Sequence, residues 1–165
     1  MTLELIDTLW QLGEIFPEQF PKIATDLLQS GLESESLIML AGLVKPDRDE
    51  ADKFFNKAIT ELKGNKVARE DIPYYIAKAI VEEHIKPERG AYLIGELSEE
   101  FKMRESIWNF KCLTIEYDDF VDEEKCYVDN KEYNLEMIKG FKQGVIDDIY
   151  KAARNYIETR KLPQT

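Results

Sequence analysis

One histidine and two cysteines in 165 residues leave little material for the common side-chain chemistries. A histidine-dependent nucleophile triad would have to run through His84, and no Gly-x-Ser-x-Gly turn accompanies it. Cys112 and Cys126 make neither a disulfide framework nor a zinc site. Cys112 lies in an apolar stretch and reads as a small core residue, while Cys126, among charges, reads as a free thiol. No phosphate-cradling loop of the Walker type is present. No run of about 18 or more apolar residues occurs, so no membrane-spanning helix is expected. Met1-Thr2-Leu3-Glu4 lacks the basic segment and apolar run of a secretory signal. A reducing cytoplasm is the expected setting.

Basic residues are also scarce: 22 Lys and Arg face 33 Asp and Glu, for a net charge of −11. Residues 1–43 carry −6, 44–112 carry −1, 113–136 carry −7 and 137–165 carry +3. A nucleic-acid backbone needs Lys and Arg to replace its condensed counterions, so this balance argues against such a ligand. Anionic membranes are disfavoured for the same reason. The partner that the acidic segment would draw is a basic protein, chiefly through faster encounter.

What is abundant is helical periodicity. Ile23-Ala24 leads through Leu27, Leu28, Gly31 and Leu32 to Leu40 and Gly42, and Ile76-Ala77 leads through Ile80, Val81, His84 and Ile85 to Leu93 and Gly95. Ala77 lies 53 positions after Ala24. Each copy reads helix, polar turn, helix. Leu5, Leu9 and Leu12 share a face within residues 3–15, with Ile6 and Trp10 beside them. Gly31 stands where a helix beginning at Pro21 should end. The run Leu37-Ile38-Met39-Leu40-Ala41 is apolar nearly all round and predicts a buried central helix. Pro46-Asp47 starts another helix, with Phe54, Phe55, Ala58, Ile59 and Leu62 as its stripe before Gly64. Between residues 68 and 85, Pro73 marks a helix's first turn, with a separate turn before it.

A further helix follows Lys86-Pro87, carrying Ala91, Ile94, Leu97 and Phe101. Residues 104–121 form a helix through Ile107, Phe110, Tyr117 and Phe120, although the alternation Leu113, Ile115, Tyr117 also suits a strand. Residues 122–133 read as an irregular acidic loop, with room for a small hairpin at Asp129-Asn130. A long last helix spans about 134–160. The expected fold is all-α: a single domain over residues 1–165, a bundle of about seven helices in stacked hairpins. A short α-solenoid-like array is the variant architecture.

Few patterns carry chemistry. Di-metal carboxylate bundles need Glu and His three residues apart, and position 81 is Val81, so His84 reads as a helix-end residue near the last carbonyls. A calcium loop fails because Phe120 or Cys126 falls on required oxygen-ligand positions. No metal or cofactor is expected. Asp147 and Asp148 are adjacent and should diverge on a helix. Gly140 and Gly144 have the spacing of a close helix crossing or a bend. Glu116, Tyr117, Asp118, Asp119, Phe120, Asp122, Glu123 and Glu124 form the sharpest candidate. Aromatics among carboxylates suit a partner surface, where anchors supply buried area and charges steer. The competing reading puts Tyr117 and Phe120 in the core with the acids on the solvated face.

Leu27-Leu28-Gln29-Ser30-Gly31, Ser36-Leu37-Ile38-Met39-Leu40-Ala41-Gly42-Leu43 and Ile85-Lys86-Pro87-Glu88-Arg89-Gly90-Ala91 precede the acidic segment and long final helix. Together they resemble a loosely defined group of small all-helical bacterial proteins of uncharacterised function, over roughly residues 20–160. Similar proteins are sometimes found beside polymorphic toxin genes, where an immunity role has been suspected. The resemblance implies a helical fold and a bacterial cytoplasmic setting, and it transfers no catalytic residue. The expected function is a non-enzymatic protein-binding module, an immunity-type protein in its most concrete form, with self-association open. A helical scaffold and a carboxylate-metal enzyme are the alternatives.

Overall fold

The computed structural model describes residues 1–102, 104–127 and 135–160, and of residues 123–127 and 135 the backbone alone. Among the described residues the chain is all-helical, with eight α-helices and no strand. These are α1 (Leu3–Gln11), α2 (Phe20–Gln29), α3 (Glu35–Ala41), α4 (Arg48–Leu62), α5 (Ile72–Val81), α6 (Pro87–Glu96), α7 (Glu105–Tyr127) and α8 (Leu135–Thr159). None is long and apolar enough to cross a membrane. The strand alternative at residues 113–117 is overturned, because the segment lies inside α7. The chain divides into two compact units, Met1–Arg69 and Glu70–Thr165.

The first unit holds α1 to α4. Side-chain oxygens of Thr2, Ser34 and Asp47 accept from the first-turn N–H groups of Leu5, Leu37 and Glu50, starting α1, α3 and α4. Its core centres on Phe20. The Trp10 ring meets Phe20 edge-on at 4.7 Å and the Phe55 ring lies 4.8 Å away, with Ala24, Leu27, Leu37, Leu40, Ala58 and Ile59 around them. Trp10 Nε1 donates to Asp52 at 2.6 Å, and the Arg48 guanidinium lies 4.4 Å from its ring. Asp7 is buried at 1% exposure and accepts from the Val67 N–H at 2.6 Å, while Gln11 Nε2 donates to both Asp7 and the Val67 carbonyl. These bonds fasten the segment after α4 onto α1. The expectation of an all-round buried α3 fails: Ser36, Leu37 and Leu40 are buried, but Ile38 and Met39 are exposed. Seven residues make under two full turns, and only one face meets the neighbouring α2 and α4.

The second unit is a four-helix arrangement in which α5 packs on α6, α6 on α7, α7 on α8, and α8 on α5. Ile76, Ala77, Ile80, Ala91, Ile94, Ile107, Phe110, Ile149 and Ala153 are buried there. A 3-10 turn at Arg69–Asp71 precedes α5, and Pro73 lies in the helix's first turn, as the spacing predicts. Gly90 and Gly95 let α6 approach its neighbours. A Cβ on Gly90 would fall on the Ile80 side chain, and one on Gly95 would lie 3.1 Å from the Lys111 Cα. Gly140 and Gly144, the pair whose spacing suggested a close crossing or a bend, have no described atom within 4 Å of such a Cβ. Both are exposed on α8, and the close approaches among the described helices are made by α6.

The two hairpins share backbone landmarks. Ile72 opens α5 52 positions after Phe20 opens α2, Val81 ends it 52 after Gln29, and Pro87 opens α6 52 after Glu35 opens α3. The left-handed residue that ends the first helix is Gly31 (φ 92°) in one copy and Glu83 (φ 58°) in the other. The apolar match at 53 positions therefore runs one residue out of step with the backbone.

Candidate functional site

All eight residues of the predicted acidic–aromatic surface lie on α7. Neither Gly nor Pro interrupts Glu105–Tyr127, and the helix runs without a break through residues 122–127. The expected irregular loop is thus helical over that stretch. Its remainder, with the hairpin at Asp129-Asn130, lies outside the described residues, as do the side chains of Glu123, Glu124 and Cys126.

The structure separates the aromatic residues from the acids. Tyr117 and Phe120 are half-buried and turn toward α8. Phe120 stacks on Phe141 with ring centres 5.4 Å apart and planes 8° apart, and Lys142 Nζ lies 5.5 Å from the Tyr117 ring centre. Glu116, Asp118, Asp119 and Asp122 are exposed. Helical spacing places Glu116 and Asp119, Asp119 and Asp122, and Asp118 and Asp122 as neighbours. Each such like-charge pair costs an isolated helix about 0.2–0.5 kcal/mol. Among the described residues Glu116, Asp118 and Asp119 have no ion-pair partner.

A second feature of α7 escaped the sequence reading. Trp108, Cys112 and Ile115 are exposed, Trp108 at 40% and Ile115 at 51%. Their spacing of four and three continues to Asp119 and Asp122, so the five residues form one stripe on the side opposite the buried Ile107, Phe110 and Leu113. Cys112 is therefore a surface thiol and not the core residue its apolar neighbours suggested. The signal was present: α7 carries two apolar stripes, and only one was needed to explain the core.

The remaining candidates are scattered. His84 follows α5, and its backbone N–H donates to the Ala79 carbonyl at 2.8 Å. Its ring lies 3.7 Å from the Glu82 carboxylate, so the last carbonyls are met by its backbone. Asp147 accepts from Gln143 at 3.0 Å, whereas Asp148 lines a cleft with Asn109, Leu113 and Lys151. The adjacent carboxylates diverge, as their spacing requires. Among the described residues no group of three or more His, Cys, Asp and Glu is placed to hold a metal ion. No protein-family model, curated protein or solved structure matches the chain.

Proposed function

We propose that this chain is a protein-binding module that engages a basic partner through the outer face of α7, with toxin neutralisation as its most concrete form. The observation that carries the reading is the exposed stripe Trp108–Cys112–Ile115, which passes into Asp119 and Asp122 on the same helix face. Trp108 and Ile115 supply apolar area to be buried at an interface, and interfaces draw most of their energy from a few such anchors. Glu116, Asp118, Asp119 and Asp122 raise the encounter rate with a cationic surface and fix its register. Glu123 and Glu124 extend the same run in sequence. The mechanism is occlusion, in which the helix face covers a basic groove or active site on the partner.

Two arguments favour this over a merely solvated face. A purely solvating face gains nothing from an exposed Trp and Ile in line with the acids. The acids also repel one another along the helix, a local cost that functional surfaces commonly carry. The resemblance to a group of helical bacterial proteins, some of them encoded beside toxin genes, supports the immunity form. The test is affinity capture from native lysate with wild type, D118N/D119N/D122N and W108A/I115A. One basic protein held at stoichiometry by the wild type, released by salt and lost by both variants is expected. No specific capture by the wild type, or equal capture by all three, overturns the reading.

A further inference from the structure

We infer that the cleft between the start of α7 and the end of α8 is a binding site for a phosphate-type oxyanion. It is an open surface cleft of about 220 Å³, lined by Arg104, Ser106, Tyr156, Thr159 and Arg160. In a chain where acids outnumber bases 33 to 22, the five described lining side chains all carry a hydrogen-bond donor, and none of these five is a carboxylate. Thr159 spends its hydroxyl hydrogen on the Asn155 carbonyl at 2.8 Å. The other four remain able to donate.

Arg160 is held ready. Its Nη1 donates to the Tyr156 hydroxyl at 2.9 Å and its Nη2 to Asp71 at 2.8 Å, which fixes the guanidinium plane and leaves its other N–H groups for a ligand. Because Tyr156 accepts in that bond, its own hydroxyl hydrogen is free to donate to an anion. Arg104 adds a second guanidinium that is exposed and lies 5.9 Å from the Phe101 ring centre. The backbone contributes too. The Arg104 carbonyl accepts from Ile107 at 2.9 Å and Trp108 at 2.8 Å, so α7 begins here, and the N–H groups of Glu105 and Ser106 have no acceptor within the helix. Among the described residues, Asp71 offsets part of the Arg160 charge, and Glu105 stands in the first turn of α7. Arg104 leaves the balance in favour of an anion. The crossing of forked guanidinium donors, hydroxyls and helix N–H groups suits a tetrahedral oxyanion with several acceptor oxygens.

The test is titration of the full chain with inorganic phosphate at constant ionic strength, read by the NMR amide shifts of Ser106 and Ile107. Expected is a saturable shift with phosphate, no saturable shift with chloride, and at least tenfold weaker binding in R104Q. Arg104 is exposed, so R104Q should keep the fold. R160Q also breaks the Asp71 bond and is judged only if its circular dichroism matches wild type. Equal responses to phosphate and chloride, or unchanged phosphate affinity in R104Q, overturn the assignment. O-phosphoserine in a parallel titration separates the sources: tighter binding than inorganic phosphate assigns an esterified ligand, and weaker binding assigns the free anion.

Discussion

Glu61 near the end of α4 is gripped twice by Ser36 in α3: the Ser36 hydroxyl donates to one carboxylate oxygen at 2.6 Å and its N–H to the other at 3.2 Å. The Ser34 hydroxyl adds a third bond at 2.5 Å, while Ser34 Oγ accepts from the Leu37 N–H to start α3. One carboxylate thus satisfies two hydroxyls and one N–H at the head of a helix only seven residues long. The Ser34 hydroxyl foremost, then the Ser36 hydroxyl and N–H, hold the Glu61 pKa below its usual value. A carboxylate whose pKa is lowered by folding contributes stability that is present above its unfolded value and is lost as pH falls through its folded value. Chemical denaturation from about pH 7 to about pH 3 should show that loss in the wild type. E61Q should start less stable and show a shallower decline over the acid range; an unchanged pH slope would remove the latch.

The Asp7 carboxylate plays a comparable part across a greater sequence distance, accepting from the Val67 N–H while buried. D7A should leave that N–H unsatisfied and cost about 1–3 kcal/mol, the range for leaving a buried hydrogen-bonding group without its partner. D7N keeps an acceptor oxygen in place and should cost distinctly less. Urea denaturation of the two variants reads the difference, and equal losses would mean that packing, not the hydrogen bond, is what Asp7 contributes.

The helical repeat makes a prediction about a single turn. Glu83 holds φ 58° at the place where the first hairpin has Gly31. A non-glycine residue in the left-handed region is strained by about 1 kcal/mol or slightly more. E83G should therefore stabilise the protein despite glycine's greater entropy when unfolded, and G31A should destabilise it by about 1 kcal/mol. Thermal denaturation of the two variants checks both signs.

Pro73, Asp47 and Gly31 mark helix ends by local chemistry, so the all-helical class and most boundaries were legible from neighbouring residues. Long-range relations were not. Nothing near Asp7 names Val67 as its partner, and α7 carries apolar residues on two faces, of which only packing identifies the buried one. The glycines are the clearest case. Gly140 and Gly144 have the spacing of a crossing yet meet no described atom within 4 Å of an added Cβ, whereas Gly90 and Gly95 make the close approaches. G90A should destabilise by about 1–3 kcal/mol through collision with Ile80. G140A should stabilise α8 by about 0.5–1 kcal/mol, because it adds helix propensity at no steric cost. Denaturant midpoints of the two variants should move in opposite directions.

The stripe on α7 divides into a part that should set how fast a partner arrives and a part that should set how long it stays. Glu116, Asp118, Asp119 and Asp122 act over distance, so D118N/D119N/D122N should slow association with the basic partner and flatten its salt dependence. W108A/I115A should leave association nearly unchanged and speed dissociation at least tenfold, because anchors act only after contact. Without a binding partner, Glu116, Asp118 and Asp119, which have no ion pair among the described residues, are a burden on their own helix. D119N removes repulsion toward Glu116 and Asp122 and should raise stability by about 0.5 kcal/mol. F120A should lower stability through loss of its stacking on Phe141. Surface plasmon resonance across a salt series, paired with denaturant unfolding of the free variants, reads all four effects. If D119N gained stability and lost association rate together, the acids would be retained for binding against the interest of the fold. If it lost neither rate nor stability, the acidic run would be a solvated helix face.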